Sequence, residues 1–503
     1  MTAAESAPDD RRVSDNHEVA VCAVDVGTSA VRARLVNDCG QVIAASRRNR
    51  SGQTPGQFDP EALWSVTAST VREVISTVPV PSSIKAVGIA GLIGTVLVDD
   101  QLRPVVAGSD WSDGRGIELL QSRPREAVDS LLSRTLRPAA TASALALLLW
   151  LRQHQAEDIA GLRWVLSPKD YLNARLSGAV ATDVTSAAYT LLLDVRARMW
   201  SAFALDFAGL RDIVMPRPHY GSDVIGQVTP AGSAETGLAV GTLVIAGGPD
   251  GTLGAVGLIG TNTATVVDIG GTTDMITQFG TDESAAIPRH AVCNPHPEPG
   301  WWAYGGPTGV TGGAADWAAR LVGFRDAAAA GGQLAAMSSI PPGSNGLLAL
   351  PFLSGSRFPR WNAAERAALL GLNETHGPMD VIRAFQEAGA FAAREGIDEL
   401  DPAGTAKVVL AGGVARSDAL VRLRADIIGR PIDAYESADA SLRGVGVLAA
   451  VGAGLQPDVT AAAAAVPASL TNYKPDPVRA RAYDHLYARW MAARKQRRHD
   501  PHR

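Results

Sequence analysis

The stretch VCAVDVGTSAVRARLVNDCGQVIAAS, residues 21–46, decides the fold. Its apolar run ends in Asp25, passes through Gly27, Thr28 and Ser29, and resumes from Val31 to Val36. This pattern predicts strands at 21–24, 31–36 and 41–45, with NDCG as the hairpin turn between the last two. A glycine–hydroxyl turn exposes backbone N–H groups and side-chain hydroxyls in one concavity, which suits phosphate oxygens. The aspartate beside it suits Mg²⁺, an ion that takes oxygen ligands and keeps much of its water. Alone, such a turn is ambiguous, because Asp and Gly also favour hairpins for backbone reasons.

The pattern recurs. AVDVGTSAVRARLV (23–36) and VVDIGGTTDMITQF (266–279) both give a valine-rich strand ending in aspartate, a glycine–hydroxyl turn and a second strand. Their separation is close to half the chain, which marks a duplicated domain rather than a solenoid of short units. Helix and strand patterns alternate between the two copies, so the expected class is α/β. The expected division is a polar, disordered leader at 1–18, halves at 19–257 and 258–456, and a linker with a C-terminal amphipathic helix at 457–503.

Composition agrees with two domains: 503 residues, 46% of them hydrophobic, exceed one core. A net charge of −5, with basic residues bunched only in the tail ARKQRRHDPHR, gives no footprint for nucleic acid. Cys22, Cys39 and Cys293 are too few and too scattered for a disulfide framework or a zinc site, so a reducing compartment is expected. The longest apolar run, TASALALLLWL (141–151), is about half of the roughly 20 residues a bilayer requires. The expectation is a buried helix in a soluble, cytoplasmic protein without a membrane partner.

Three further glycine-rich elements carry chemistry. In LVIAGGPDGTLGAVGLIG a strand ends in Gly247 and Gly248 and presents Asp250 at the start of a helix, either as a cap or as a base for an attacking hydroxyl. In KVVLAGGVARSDALVRLRADIIGRP the bend at Ala411–Gly413 is either a tight strand-to-helix turn or a backbone surface for adenine and ribose. GGPTGVTGGAADWAARL places Gly312, Gly313 and Asp316 on the first turns of a helix. The chain has no G-x-x-x-x-G-K-[ST], and the glycines of GIAGLIGTVLV lead into a strand rather than a helix, so neither a P-loop nor a dinucleotide fingerprint applies.

With these elements in order, residues 20–456 resemble the FGGY family of carbohydrate kinases, most closely its xylulokinase branch. DWSDGR (110–115) is similar to the family's W-N-D-G-R, and SPKDYLNARLSG (167–178) to its P-K-D-Y-L-x-x-x-L-T-G. TDVTSAAYTLLLDVRARMWS and LLALPFLSGSRFPRWNAAERAALLGL match two more of its stretches. The resemblance implies duplicated ribonuclease-H-like domains of the actin and hexokinase type, closing on ATP, Mg²⁺ and a sugar in the cleft between them. It implies Asp250 as catalytic base and sugar contact, Asp25 for Mg²⁺, and Thr28, Ser29 and Arg32 for phosphates. It implies Gly270, Gly271 and Thr272 as the second phosphate loop, Gly312 and Asp316 as a nucleotide wall, and Gly412 and Gly413 at the adenosine.

The chain also departs from that pattern. Ile93 and Gly94 stand where xylulokinases carry Met and His, Leu147 replaces a signature lysine, and DIGGTTD has one glycine more than the usual loop. The sugar-site candidates are therefore Gly94, Thr95, Trp111, Asp113 and Arg115 beside Asp250. The reading is an ATP-dependent kinase of a pentulose such as xylulose or a related polyol. Its rivals are a catalytically weak regulatory relative and an actin-type nucleotide hydrolase. The size of the body and its apolar-faced terminal helix are compatible with a homodimer.

Overall fold

The structure, a computed structural model, describes residues 19–499 apart from 38–39, 53, 79–82, 139–142, 212, 282–290, 328–338, 438 and 467. The expected leader at 1–18, Cys39 and the last four residues of the basic tail lie outside the described residues.

Each half is built on a seven-stranded mixed sheet. In the first, Val19–Val26 is central. It pairs antiparallel with Ala30–Asn37, which pairs antiparallel with Val42–Asn49. On its other side it pairs parallel with Ala86–Gly91, which in turn pairs parallel with Leu243–Ile245. In the second, Thr265–Gly270 holds the central place. It is antiparallel to Met275–Gly280, which is antiparallel to Trp302–Pro307, and it is parallel to Lys407–Gly412, which is parallel to Ile432–Ala434. The same order of five strands, with the same directions, occurs twice. This is the duplicated ribonuclease-H-like arrangement, and the valine-rich central strands are buried because elements cover both faces.

Parallel pairing sets the chemistry at one edge. Asp25 and Gly248 are both level with Ala90, on opposite sides of the strand that carries it. The ends of Val19–Val26 and Gly248–Pro249 thus stand about 10 Å apart, two strand spacings, and Asp25 and Asp250 reach the same carboxyl edge, where open α/β sheets take ligands. The turn between Gly248 and its neighbours demands glycine: Gly247 has φ +73°, and a Cβ there would lie 2.1 Å from the Ile89 carbonyl oxygen.

The halves meet through two crossing helices, Asp250–Ile259 and Ala440–Gly452. Glycines permit the crossing: a Cβ on Gly444 would stand 1.8 Å from the Leu253 carbonyl oxygen, and one on Gly257 2.5 Å from the Gly444 nitrogen. Helix Ala440–Gly452 also packs beneath the first sheet, with Val445 against Gly88. The first of these helices runs through the expected division at 257/258 without a break, so both halves share it.

The terminal segment is more than a linker. After the helix Val459–Ala465, the strand Thr471–Tyr473 closes the edge of the second sheet against Ile432–Ala434. Helix Pro477–His499 then packs Tyr483 and Trp490 onto Phe391 and Phe352. The apolar run forms helix Ala144–His154, capped by Ser143 Oγ, which accepts from the Ala146 N–H at 3.2 Å. Among the described residues no helix is long and apolar enough to cross a membrane. Cys22 and Cys293 are both buried.

Candidate active site

Asp250 sits at the seam between the halves. The cap position of its helix belongs to Pro249, and Asp250 is the first helical residue, its carboxylate accepting the Gly251 N–H at 2.7 Å. The next residue, Gly251, abuts Met275 of the second sheet. Burial pushes the Asp250 carboxyl up to about 7, the neighbouring Asp25 charge adds to the rise, and the Gly251 N–H opposes it. Burial also raises Asp25, against the pull of Arg32, whose Nη1 donates to Asp25 Oδ2 at 2.8 Å. Arg32 is therefore engaged with the carboxylate through Nη1, while its side chain stays part-exposed. Thr28 and Ser29 are exposed at the tip of the turn, which is closed by the Gly27 N–H donating to the Ala30 carbonyl.

The second copy of the motif uses its acids differently. Asp268, at the position equivalent to Asp25, is buried and paired with Arg424. The same guanidinium donates to Asp274 Oδ1 at 2.8 Å, and Asp274 Oδ2 accepts from Thr311 Oγ1 at 2.6 Å. Burial opposes the Arg424 charge, and the two carboxylates outweigh it. The result is a clamp that ties both ends of the loop 271–273 to the helices Thr311–Leu321 and Asp418–Ile428, leaving its middle to face ligands.

That loop divides two cavities. Gly271 and Thr272 line a large one of 830 Å³ together with Gly312, Asp316, Gly413, Arg416 and Ser417. Thr273 lines a second, of 260 Å³, with Asp250, Trp111, Tyr189, Arg137 and Arg357. The Thr273 hydroxyl is buried and makes no hydrogen bond. Gly270 and Gly412 lie a layer behind, level with each other on adjacent strands; Gly412 has φ +84° and its Cβ would meet the Gly270 carbonyl oxygen at 2.4 Å. They shape the loop without lining the cavity. Of the glycines around this loop Gly312 is fitted most tightly, since a Cβ there would come within 1.9 Å of the Gly271 carbonyl oxygen. Gly312→Ala is expected to displace the loop and weaken nucleotide binding by about tenfold, or ~1.4 kcal/mol, in a fluorescent-nucleotide titration.

The sugar-site candidates divide. Gly94, Thr95, Trp111 and Asp113 line a narrow side pocket of 20 Å³, which adjoins the 260 Å³ cavity through Ile93, Trp111 and Tyr189. Leu147, in place of the family lysine, lines it too. Arg115 lines neither. Its guanidinium turns back onto Asp113, at 2.7 Å, and stacks over Trp150. It orients Asp113 instead of facing a ligand, a correction that follows from the two-residue spacing closing a local ion pair. Sequence reasoning missed Arg137, Tyr189, Thr273, Asn294, Tyr304 and Arg357, all of which line the 260 Å³ cavity. Three of them stood in stretches already singled out: Thr273 in DIGGTTD, Tyr189 in TDVTSAAYT and Arg357 in SGSRFP.

Comparison with known proteins places this geometry. The model of the N-terminal domain of the FGGY carbohydrate kinases matches residues 20–257, and that of the C-terminal domain matches 267–453. Xylulose kinase of Escherichia coli K12 is 32% identical over 425 residues, covering 82% of this chain and 85% of the relative. The crystal structure of xylulose kinase from Rhodospirillum rubrum superposes with a TM-score of 0.84 at 26% identity, covering 96% of this chain and 100% of that one. Gluconate kinase from Lactobacillus acidophilus gives a TM-score of 0.86 at 22% identity over 95% and 98% of the two chains, a likeness of fold. With two clefted halves, a carboxylate at their seam and both domain models matched along the chain, the protein belongs to the FGGY family of carbohydrate kinases.

Proposed function

We propose that this sugar kinase transfers the γ-phosphoryl group of ATP to a hydroxyl of a pentulose-sized acceptor, with Asp250 as general base. Xylulose, the substrate in the names of the curated relatives, is the first acceptor to test. The observation that carries the reading is the loop 271–273, which separates the cavity lined by Gly312 and Gly413 from the one lined by Asp250. ATP lies in the larger cavity, the acceptor in the smaller, and the γ-phosphoryl group at the partition.

In the transfer, the acceptor hydroxyl gives its proton to the Asp250 carboxylate as its oxygen bonds to the γ-phosphorus. The bond from that phosphorus to the β,γ-bridging oxygen breaks, and ADP leaves with the electron pair. The loop N–H groups and the Thr272 and Thr273 hydroxyls hold the phosphoryl oxygens in line, which supplies positioning rather than covalent help. Asp25, paired with Arg32 and close enough to Asp250 for the two charges to act on each other, suits a hard cation at this sheet edge. Among the described residues no group of three ligands would hold one without the nucleotide, which suits Mg²⁺ carried in on phosphates. When bound, Mg²⁺ offsets phosphate charge.

A coupled ADP-release assay over ketoses, aldoses and polyols tests the reading: sugar-dependent release supports it, and sugar-independent release overturns it. Since the base must be ionised, kcat/KM is expected to rise tenfold per pH unit up to about 7 and level off above it. A profile flat from pH 5 to 8 would remove Asp250 from the role.

A further inference from the structure

The 260 Å³ cavity holds more positive than negative charge. Among its lining side chains three ionise: Asp250, Arg137 and Arg357. Arg137 is 5% exposed. Its guanidinium lies 3.8 Å from the centre of the Tyr189 ring, and Nη2 donates to Asn294 Oδ1 at 3.0 Å. Its Nε makes no hydrogen bond. Arg357 stacks over Trp111 at 5.3 Å, and neither arginine has a carboxylate partner among the described residues.

The other two buried arginines among the described residues are matched with acids: Arg424 has Asp268 and Asp274, and Arg494 has Glu365 and Glu395. A buried cation without an opposite charge is costly, and an aromatic face offsets only part of that cost. A neutral ketose would leave the buried Arg137 in that state and the part-buried Arg357 without an acid, whereas a carboxylate matches the planar fork of a guanidinium. The narrow side pocket adds Thr95, Ser143, Ser186 and Thr190, which suit hydroxyls.

We propose that the preferred acceptor is an anionic sugar, an open-chain polyhydroxy acid whose carboxylate is held by Arg137 and Arg357 while a hydroxyl at its other end meets Asp250. This refines the kinase reading and rests on it. The bonds made and broken are those of the hydroxyl transfer above; the carboxylate takes no part in them. The rival anion for these arginines is the γ-phosphoryl group itself, and the two differ in which KM responds.

The test is ADP release by the full chain with Mg²⁺-ATP on acceptors matched in carbon number: xylulose and xylitol against xylonate, then six-carbon ketoses and polyols against six-carbon aldonates and 2-ketoaldonates. An acid is expected to exceed its neutral counterpart in kcat/KM by at least about tenfold. Arg137→Gln and Arg357→Gln are each expected to raise the KM of that acid by about 10- to 100-fold, with the KM for ATP within twofold of the parent. A neutral sugar used as well as its acid overturns the proposal and leaves the kinase reading standing; so does a rise in the KM for ATP instead. ADP release with no sugar, neutral or acidic, overturns both. The selectivity of the unmodified protein decides the matter even if a variant does not fold.

Discussion

Asp250→Asn is expected to lower kcat by about two to four orders of magnitude, the range for loss of a general base, with nucleotide affinity unchanged. The amide keeps the shape and can still pair with the Gly251 N–H, but cannot take a proton. The same substitution has a signature in stability. The Asp250 carboxyl has a value of about 7 in the fold against an ordinary 3.8, so the folded state binds its proton more tightly than the unfolded chain does. That contribution is complete below about pH 4 and is lost as pH rises through about 7. The variant is therefore expected to match the parent's stability at pH 4 and exceed it at pH 8, by an amount of the order of 2–4 kcal/mol, in urea unfolding. A loss of activity without this pH-dependent gain would point to a disrupted site rather than a removed base.

Asp25→Asn is expected to reduce kcat/KM by about 10²–10³-fold, as for removing a preorganised charge from a transition-state site. Because Asp25 contributes to the raised Asp250 carboxyl, the remaining activity should also titrate at lower pH than in the parent. The substitution frees Arg32 from its 2.8 Å pair, so the variant should bind free ATP at least as well while its apparent affinity for Mg²⁺ or Mn²⁺ falls. An unchanged metal titration would separate Asp25 from the metal. An acid limb that stays in place would separate it from Asp250.

Much of this architecture was legible because the deciding signals are local. The hairpin around Gly27–Ser29 and its copy around Gly271–Thr273 follow from strand alternation and turn chemistry, and the strand order around each follows from the duplication. Gly312 and Gly413 line one cavity and Asp250 the other, since each stands where a strand gives way to a helix, and Asp316 lines the first from one turn further along the helix Thr311–Leu321. What escaped depends on contacts between distant segments. Asp268 has the same local pattern as Asp25, yet Arg424, 156 residues away, neutralises it. Arg137 meets Asn294 across 157 residues, and Arg357 meets Trp111 from the other half. No periodicity announces such pairs. Nor does the sequence announce that helix Asp250–Ile259 is held at the seam by Gly257, where a Cβ would stand 2.5 Å from the Gly444 nitrogen of Ala440–Gly452.

The central claim is that one loop, Gly271–Thr273, parts a nucleotide cavity from an acceptor cavity, so that phosphate crosses at the seam where Asp250 waits. A crystal structure with Mg²⁺, a non-hydrolysable ATP analogue and a phosphorylatable acceptor tests it most directly. The account predicts the adenosine beside Gly413 and Gly312, the γ-phosphorus at the Thr272–Thr273 hydroxyls, and an acceptor hydroxyl within about 3 Å of an Asp250 oxygen. Density for the nucleotide in the cavity lined by Trp111 and Arg357, or for the acceptor away from Asp250, would contradict it.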